Sequence, residues 1–163
     1  DQQKKNEIVQ QDQPVDWLNI LWITLLIITV LGLLAFAMPW LIMQYFSFTA
    51  MQAKDPKDKA FKTYRATMYY LNQLGNFRTN SGPQQYAMNI DDQFKTNFIQ
   101  FSNVYQKLKY SSVPLTKFEE DTVENFYRPF KMQMHKQIAF KTRTSRFLNI
   151  YNTIHYFTQP KIS

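Results

Sequence analysis

Residues 17–37 read WLNILWITLLIITVLGLLAFA, and this stretch decides how the rest of the chain is interpreted. No charged residue and no histidine occurs between Trp17 and Ala53. About 20 apolar residues in a helix cross the hydrocarbon core of a bilayer, at about 1.5 Å per residue. A helix pairs its backbone N–H and C=O groups internally, which a segment in lipid must do. The stretch therefore predicts one transmembrane helix, placed with an interfacial extension at residues 17–48.

Two alternatives to a span are a buried helix of a soluble protein and a secretory signal peptide. Apolar runs of 18 or more residues are typical of membrane spans rather than of soluble cores. Ala35-Phe36-Ala37 resembles a small-x-small cleavage pattern. A signal peptide, however, has a basic region before a shorter apolar core. Residues 1–16 carry two lysines against four acidic residues, and the apolar run continues to Met43, so we expect no cleavage.

The charges on the two sides of the span differ in sign. Residues 54–163 contain 17 of the 19 Lys+Arg and 8 of the 12 Asp+Glu residues. Basic residues near a span favour its cytoplasmic side, and several lie between Lys54 and Arg65. We expect residues 1–16 to form a short extracytoplasmic flank. The C-terminal region is then cytoplasmic, below the plasma (inner) membrane.

Aromatic side chains mark both ends of the predicted span. Trp17 and Trp40 bracket it and are the expected interfacial anchors, because Trp is enriched where headgroups meet hydrocarbon. Pro39 lacks a backbone N–H and is expected to kink or end the helix. Residues 40–48 are then expected to form a second helical piece along the inner interface.

Residues 58–130 have the periodicity of a small helical cytoplasmic domain. Apolar residues of its first helix recur at three- and four-residue steps: Phe61, Tyr64, Met68 and Leu71. Gly75 suits the left-handed residue that ends such a helix. A short second helix is expected from Pro83, a residue favoured at the first helical position.

Three further helices are expected downstream. Asp91 and Asp92 are expected to begin the third, since acidic residues favour the positive end of the helix dipole. Thr116 and Glu119 form a capping box for the fourth, which Pro129 is expected to kink or end. The last is expected over residues 141–157, with an inward apolar stripe of Phe147, Ile150, Tyr151, Ile154 and Phe157. The prediction is an all-α fold, with one transmembrane helix followed by a small helical bundle of three to five helices.

The order and spacing of several short motifs resemble a known family. They are Tyr64-x3-Met68-x2-Leu71-x2-Leu74-Gly75, then Arg78, Gly82-Pro83-x-x-Tyr86-Ala87, the run from Phe98 to Tyr105, and Lys109-Tyr110. With the span before it, this region resembles the C-terminal cytoplasmic domain of unknown function of bacterial transglutaminase-like membrane proteins. The chain departs from the family pattern at Gly82 and Gln85, where Thr and Glu are usual, so this helix has a weaker cap.

The resemblance implies an architecture. Larger family members place an extracytoplasmic transglutaminase-like domain, with a Cys-His-Asp triad, before a last span and this domain. The chain opens on Asp1 rather than on Met, and we expect it to be a segment of a longer protein. No triad residue can be carried over, because the chain has no cysteine.

No motif predicts catalysis, a cofactor or a metal within these residues. The absence of cysteine excludes a thiol nucleophile and a thiolate metal site here. His135 and His155 are isolated in sequence and have no partner motif. The acidic residues 119–124 are explained by the first turn of a helix, where they offset the dipole. We therefore expect these residues not to form an enzyme.

The C-terminal region is strongly basic, since residues 125–163 contain no acidic residue. The candidate membrane-surface contacts in it are Lys131, Lys136, Lys141, Arg143 and Arg146. Basic residues near an anionic leaflet contribute about 1 kcal/mol each. Residues 131–163 are thus expected to form a basic amphipathic tail on the inner leaflet, with a solvated basic face as the alternative.

The favoured function is a membrane-anchored helical accessory or interaction module, the cytoplasmic tail of a transglutaminase-like membrane protein. Two alternatives stay open. One is a stand-alone single-span bacterial adaptor, and the other is the structural end of a cysteine-dependent transglutaminase or protease whose catalytic domain lies upstream. The expected partners are the lipid bilayer, its anionic headgroups and an unidentified protein. Nucleic acid is not expected, since no recognition motif for it occurs.

Overall fold

The structure is a computed structural model that describes residues 16–78 and 82–158. Within these ranges the chain forms helices and no strands. The helices are α1 (Trp17–Gln52), α2 (Pro56–Gln73), α3 (Pro83–Phe94), α4 (Phe98–Tyr110), α5 (Lys117–Gln137), α6 (Phe140–Phe147) and α7 (Ile150–Thr158). The all-α prediction, with a long apolar helix before a helical bundle, is confirmed. The predicted flank 1–16 lies outside the described residues except for Asp16.

The chain divides into two compact units, Asp1–Leu34 and Ala35–Ser163. In the first unit, the carboxylate of Asp16 caps α1 by accepting from the backbone N–H of Asn19 at 3.3 Å. The hydroxyls of Thr24 and Thr29 each donate to the carbonyl four residues earlier, at 2.8 Å. These hydroxyls are therefore satisfied within the helix, as hydrocarbon surroundings require.

Helix α1 is long and apolar enough to cross a bilayer. Its most apolar 18-residue window has a mean hydropathy of 2.7, and none of that window is buried. This window is therefore not part of the buried core of the described residues.

Helix α1 continues through Pro39, so the expected end or second helical piece at this residue is wrong. The second half of the helix buries one face, which consists of Pro39, Met43, Phe46, Ser47 and Ala50. Burial of this face in the bundle holds residues 40–48 in the same helix as the residues before Pro39. One side of residues 40–48 is thus part of the core, and these residues do not form a separate helix at the membrane interface.

A short turn after α1 reverses the chain. Asp55 accepts from the backbone N–H of Asp58 at 2.8 Å and caps α2, with Pro56 at the first helical position. The hydroxyl of Tyr69, late in α2, donates to the carbonyl of Pro39 at 3.0 Å. Helix α2 therefore returns along α1, and the bundle has two ends. We call them the Pro39 end and the Gln52 end.

Asp91 and Asp92 do not begin a helix, contrary to the prediction, but lie in the last turn of α3. Lys95 and Asn97 adopt positive φ angles of 53° and 58° and turn the chain into α4. The Asp91 carboxylate then accepts from the backbone N–H groups of Phe98 and Ile99, at 2.7 and 2.8 Å. The acid thus does occupy the positive end of a helix dipole, but it reaches that end from the preceding helix.

The predicted capping box of α5 is confirmed, with the Thr116 hydroxyl and the Glu119 carboxylate each bonded to the other's backbone N–H. The Lys107 ammonium donates to both oxygens of Glu119 at 2.9 and 2.7 Å. This ion pair and the Thr116 N–H lower the pKa of Glu119 to about 2. Glu119 therefore stays ionised, and keeps its cap, far below its ordinary titration range.

Helix α5 continues beyond Pro129 to Gln137, so the expected end at this proline is wrong. Residues on both sides of the proline are buried in the core: Phe126, Phe130 and Met134. The expected boundary between a 58–130 domain and a 131–163 tail consequently falls inside a helix. The described part of the tail is part of the bundle, and residues 159–163 lie outside the described ranges.

The helix expected over residues 141–157 is two helices, α6 and α7, separated at Leu148 and Asn149. The expected inward stripe is also wrong for α7. Phe147 is buried, but Ile150, Tyr151, Ile154 and Phe157 are all exposed. The face of α7 that packs inward consists of Asn152, Thr153 and Tyr156, and its polar contacts are described below.

Aromatic side chains fill much of the core. Phe101 and Phe126 stack with ring centroids 4.3 Å apart, and Tyr64 and Tyr105 stack at 3.7 Å. Such pairs add about 0.5–1.5 kcal/mol beyond their buried area. The Phe and Tyr periodicity in the sequence is thus explained by core packing between α2, α4 and α5.

Replacement of Gly75 by alanine should destabilise the bundle. Gly75 has φ +86°, and a Cβ there would collide with Nη1 of Arg146. A left-handed conformation costs an L-residue about 1–2 kcal/mol, so Gly75→Ala should lower the free energy of unfolding by at least about that amount. Urea unfolding of a 35–163 fragment, which contains the whole second unit, measures the change.

Gly82→Ala is the matched control. Gly82 has φ −58° at the start of α3, and a Cβ there has no atom within 4 Å. Its replacement should leave the free energy of unfolding nearly unchanged. Equal effects of the two substitutions would contradict the role given to Gly75.

Candidate functional site

The direction of α5 decides where the predicted membrane contacts lie. Near the Gln52 end, the Lys59 ammonium pairs with the Glu124 carboxylate. Farther along α2, the ring of Tyr70 lies 5.8 Å from that of Phe130 and 6.3 Å from that of His135. Helix α5 therefore runs parallel to α2, and its C-terminus reaches the Pro39 end. Helix α6 follows directly at that end.

Four of the five predicted basic contacts are brought together at the Pro39 end. Lys136 is exposed in the last turn of α5, and Lys141 is exposed at the start of α6. Arg143, also in α6, is partly buried, with its guanidinium 5.5 Å from the ring centre of Phe140. Arg146 lies beside Gly75 at the C-terminus of α2.

Arg146 has a structural contact as well as an exposed position. An open groove at the Pro39 end is lined by Leu74, Phe94, Gln137, Ile138 and Arg146, among others. Helices α2, α3 and α5 end at this groove. Their carbonyl ends carry partial negative charge, which a nearby cation stabilises. The positive charge of Arg146 therefore also stabilises these helix ends.

Lys131 is separate from the other four basic residues. It lies on the side of the bundle, in a groove with Tyr45, Phe48 and Met51 of α1. Its ammonium is 5.7 Å from the ring centre of Tyr127, and burial lowers the pKa of Lys131. The predicted contact at Lys131 is thus a snorkelling side chain beside α1, not part of the basic end.

The two predicted anchors are both exposed. Trp40 follows Pro39 directly and has 52% of its surface exposed, so it belongs to the Pro39 end. Trp17 is the first residue of α1, in the N-terminal unit, and has 75% of its surface exposed.

Acidic residues in the bundle are concentrated at the opposite end. Those of the Gln52 end are Asp55, Asp58, Glu119, Glu120, Asp121 and Glu124. At the Pro39 end the acidic residues of the described chain are Asp91 and Asp92, and the first is engaged with α4. Burial, together with the charges of Arg143 and Lys131, lowers the pKa of His135. The Pro39 end therefore carries an excess of positive charge.

Helix α7 packs on α2 through polar side chains that the sequence analysis did not single out. The Asn152 amide donates to the carbonyl of Gln73 at 3.0 Å, and the Gln73 amide donates to the hydroxyl of Thr153 at 2.7 Å. The hydroxyls of Thr153 and Tyr69 lie 3.0 Å apart. Because Tyr69 also donates to Pro39, these hydrogen bonds connect α1, α2 and α7.

The opposite face of α7 is apolar and uncovered. Ile150, Tyr151, Ile154 and Phe157 are between 40% and 66% exposed. They recur at helical spacing, and sequence reasoning placed them in the core for that reason. The signal that was missed is Asn152-Thr153, a polar pair between these apolar residues that could have marked a second, inward face.

Among the described residues, no group of three or more histidine or acidic side chains is placed to hold a metal ion. His155 lies with Nδ1 3.4 Å from the side-chain oxygen of Asn72. Its ring centre is 4.4 Å from that of Phe77. The contacts of His155 are thus those of the α2–α7 interface.

No protein-family model, curated protein or solved structure matches this chain.

The polar face of α7 should matter more for stability than its apolar face. Asn152→Ala removes the donor to Gln73 and leaves a buried carbonyl short of a partner, which costs about 1–3 kcal/mol. Ile154→Ala, on the exposed face, should change the free energy of unfolding by less than about 0.5 kcal/mol in water. Urea unfolding of the 35–163 fragment compares the two variants. A larger loss for Ile154→Ala would contradict the orientation of α7.

Proposed function

We propose that this chain is a membrane-anchored helical accessory module. Helix α1 crosses the plasma (inner) membrane of a bacterium with its N-terminus outside, and the bundle lies in the cytoplasm. Its activity is to hold an interaction surface at the inner leaflet, and it carries no reaction of its own. The observation that carries the proposal is α1, an apolar helix that is uncovered in its first half and part of the bundle core in its second.

Continuity of α1 supports anchoring as the mechanism. Met43, Phe46 and Ala50 belong to the same helix as the candidate span and are at most 6% exposed. A flexible linker would let a domain move freely at the membrane. Here the candidate span and these core residues belong to one helix, Trp17–Gln52, and no loop separates them in sequence.

Charge supports contact with the inner leaflet. Lys136, Lys141, Arg143 and Arg146 lie at the end of the bundle where α1 enters it, beside Trp40. The cytoplasmic leaflet is anionic and attracts such groups within about 8 Å at physiological salt. Basic residues at this end also favour the cytoplasmic side of a span.

The motif resemblance supports a more specific place for the module. We propose that it is the cytoplasmic tail of a transglutaminase-like membrane protein, whose catalytic domain lies outside the membrane. The module would position or regulate that domain, or recruit a cytoplasmic protein to it. The sequence upstream of Asp1 tests this: a further span and a Cys-His-Asp domain are expected there.

The proposed topology predicts which sites react with a membrane-impermeant maleimide in intact bacterial cells. The chain has no cysteine, so single substitutions report one site each. Gln10→Cys, before the span, should react without lysis. Glu120→Cys, at the exposed start of α5, should react only after the membrane is permeabilised. The reverse pattern would contradict the orientation, and release of the chain by alkaline extraction would contradict anchoring.

Basic residues of the Pro39 end should set the affinity for anionic bilayers. Lys136→Gln with Lys141→Gln should weaken binding of the 35–163 fragment to anionic vesicles by about 2 kcal/mol, or about 30-fold. High salt should weaken binding by the wild-type fragment as well. Co-sedimentation with vesicles of anionic and neutral lipid measures both effects.

Lys54→Gln with Lys117→Gln is the matched control. Both lysines are exposed and lie at the Gln52 end, so the total charge falls by the same amount. This variant should bind nearly as tightly as the wild-type fragment. Equal weakening by the two pairs would show that net charge, and not the Pro39 end, determines binding.

A further inference from the structure

We infer that the apolar face of α7 inserts into the lipid surface. The inference rests on the proposed membrane anchoring and adds a second, apolar contact to the basic one. The partner is the interfacial region of an anionic bilayer. The contact residues are Ile150, Tyr151, Ile154 and Phe157.

The first argument is the inverted packing of α7. A surface helix of a soluble domain normally buries its apolar face and leaves its polar face in water. In α7 the inward side combines Tyr156, packed against Tyr69, with Asn152 and Thr153, which are 4% and 7% exposed, while Tyr151 and Ile154 are 66% and 53% exposed. Hydrogen bonds from this polar face to α2 fix the orientation. The apolar face is therefore held outward, where water is an unfavourable neighbour.

The second argument is the position of α7 in the bundle. The hydroxyl of Thr153 is bonded to Tyr69, which in turn donates to the carbonyl of Pro39. Helix α7 is thus linked through Tyr69 to α1 at the Pro39 end. In sequence, this is where the apolar half of α1 is followed by the half that belongs to the bundle. On α1 itself, Met38 and Leu41 are exposed on either side of Pro39, by 49% and 44%. Exposed apolar side chains therefore occur on both α1 and α7.

The third argument is the charge next to this surface. Lys141, Arg143 and Arg146 of α6 precede α7 directly, and no acidic residue occurs from Asn125 onward. An apolar face beside basic residues is the pattern of helices that lie in the headgroup region of anionic membranes. A second copy of this chain fits less well, because it would bring two basic ends together.

A spin label at one introduced cysteine of the full chain tests the inference. The chain is reconstituted in bilayers that contain anionic lipid, with the label at Ile154→Cys. Collisions are measured with oxygen, which concentrates in lipid, and with a water-soluble nickel chelate. Leu26→Cys, in the candidate span, serves as the lipid reference, and Glu120→Cys, at the Gln52 end, as the aqueous reference.

The expected result is that the label at Ile154, like the label at Leu26, collides with oxygen several-fold more often than with the nickel chelate. The label at Glu120 should collide more often with the nickel chelate. Tyr151→Cys is a second site on the same face, and circular dichroism confirms that each variant is helical. If the label at Leu26 collides mainly with oxygen but the labels at Ile154 and Tyr151 collide mainly with the nickel chelate, this inference is overturned and the proposed span is not. A water-like Leu26 label would overturn the proposed span.

Self-association gives a third, distinct result. If a second copy covers α7, the Ile154 labels come close together, and their dipolar broadening disappears when labelled chain is diluted with unlabelled chain. Broadening of that kind, with few oxygen collisions, would overturn the lipid contact in favour of an interface between copies.

Discussion

Tyr69 joins three helices at one end of the bundle, and the placement of the α7 contact residues depends on that junction. Its hydroxyl lies 3.0 Å from both the Pro39 carbonyl and the Thr153 hydroxyl. Its ring packs edge-on against Phe46 and Tyr156, at 5.3 and 5.1 Å. Burial raises the pKa of Tyr69 to about 12, so the hydroxyl remains a neutral donor throughout the physiological range. The junction holds α7 beside α1 with its polar side inward.

The bundle also has opposite charges at its two ends. Acidic side chains at the Gln52 end cap helices or pair with lysines, as Glu119 does with Lys107. The basic residues of α5 and α6 have few acidic neighbours and are gathered at the Pro39 end. An anchored domain benefits from such an arrangement, since attraction to an anionic leaflet acts only within about a Debye length of it. The module thus has a defined membrane-facing end in the proposed function.

Local chemistry explains why several features could be predicted from the sequence. The long apolar run, the Thr116–Glu119 capping box and the left-handed Gly75 each depend on residues close together in the chain. The helix ends expected at the two prolines do not occur, for a common reason. Pro39 is itself buried at the start of the core-forming half of α1, and Pro129 lies between the buried residues Tyr127 and Phe130. This tertiary burial outweighs the loss of one backbone hydrogen bond.

The sequence by itself determined the all-α class, the apolar helix at the front of the chain and the basic character of its final third, because periodicity and composition carry these properties. Only the tertiary structure decided that α1 also belongs to the core, and that Lys136 and Lys141 share an end with Trp40 while Lys131 does not. It also decided which side of α7 is inward, where hydrogen bonds of Asn152 and Thr153 to α2 prevail over the burial of Ile154 and Phe157. The orientation of α7 depends on contacts between residues about 80 positions apart, and such long-range contacts are a property of the tertiary structure.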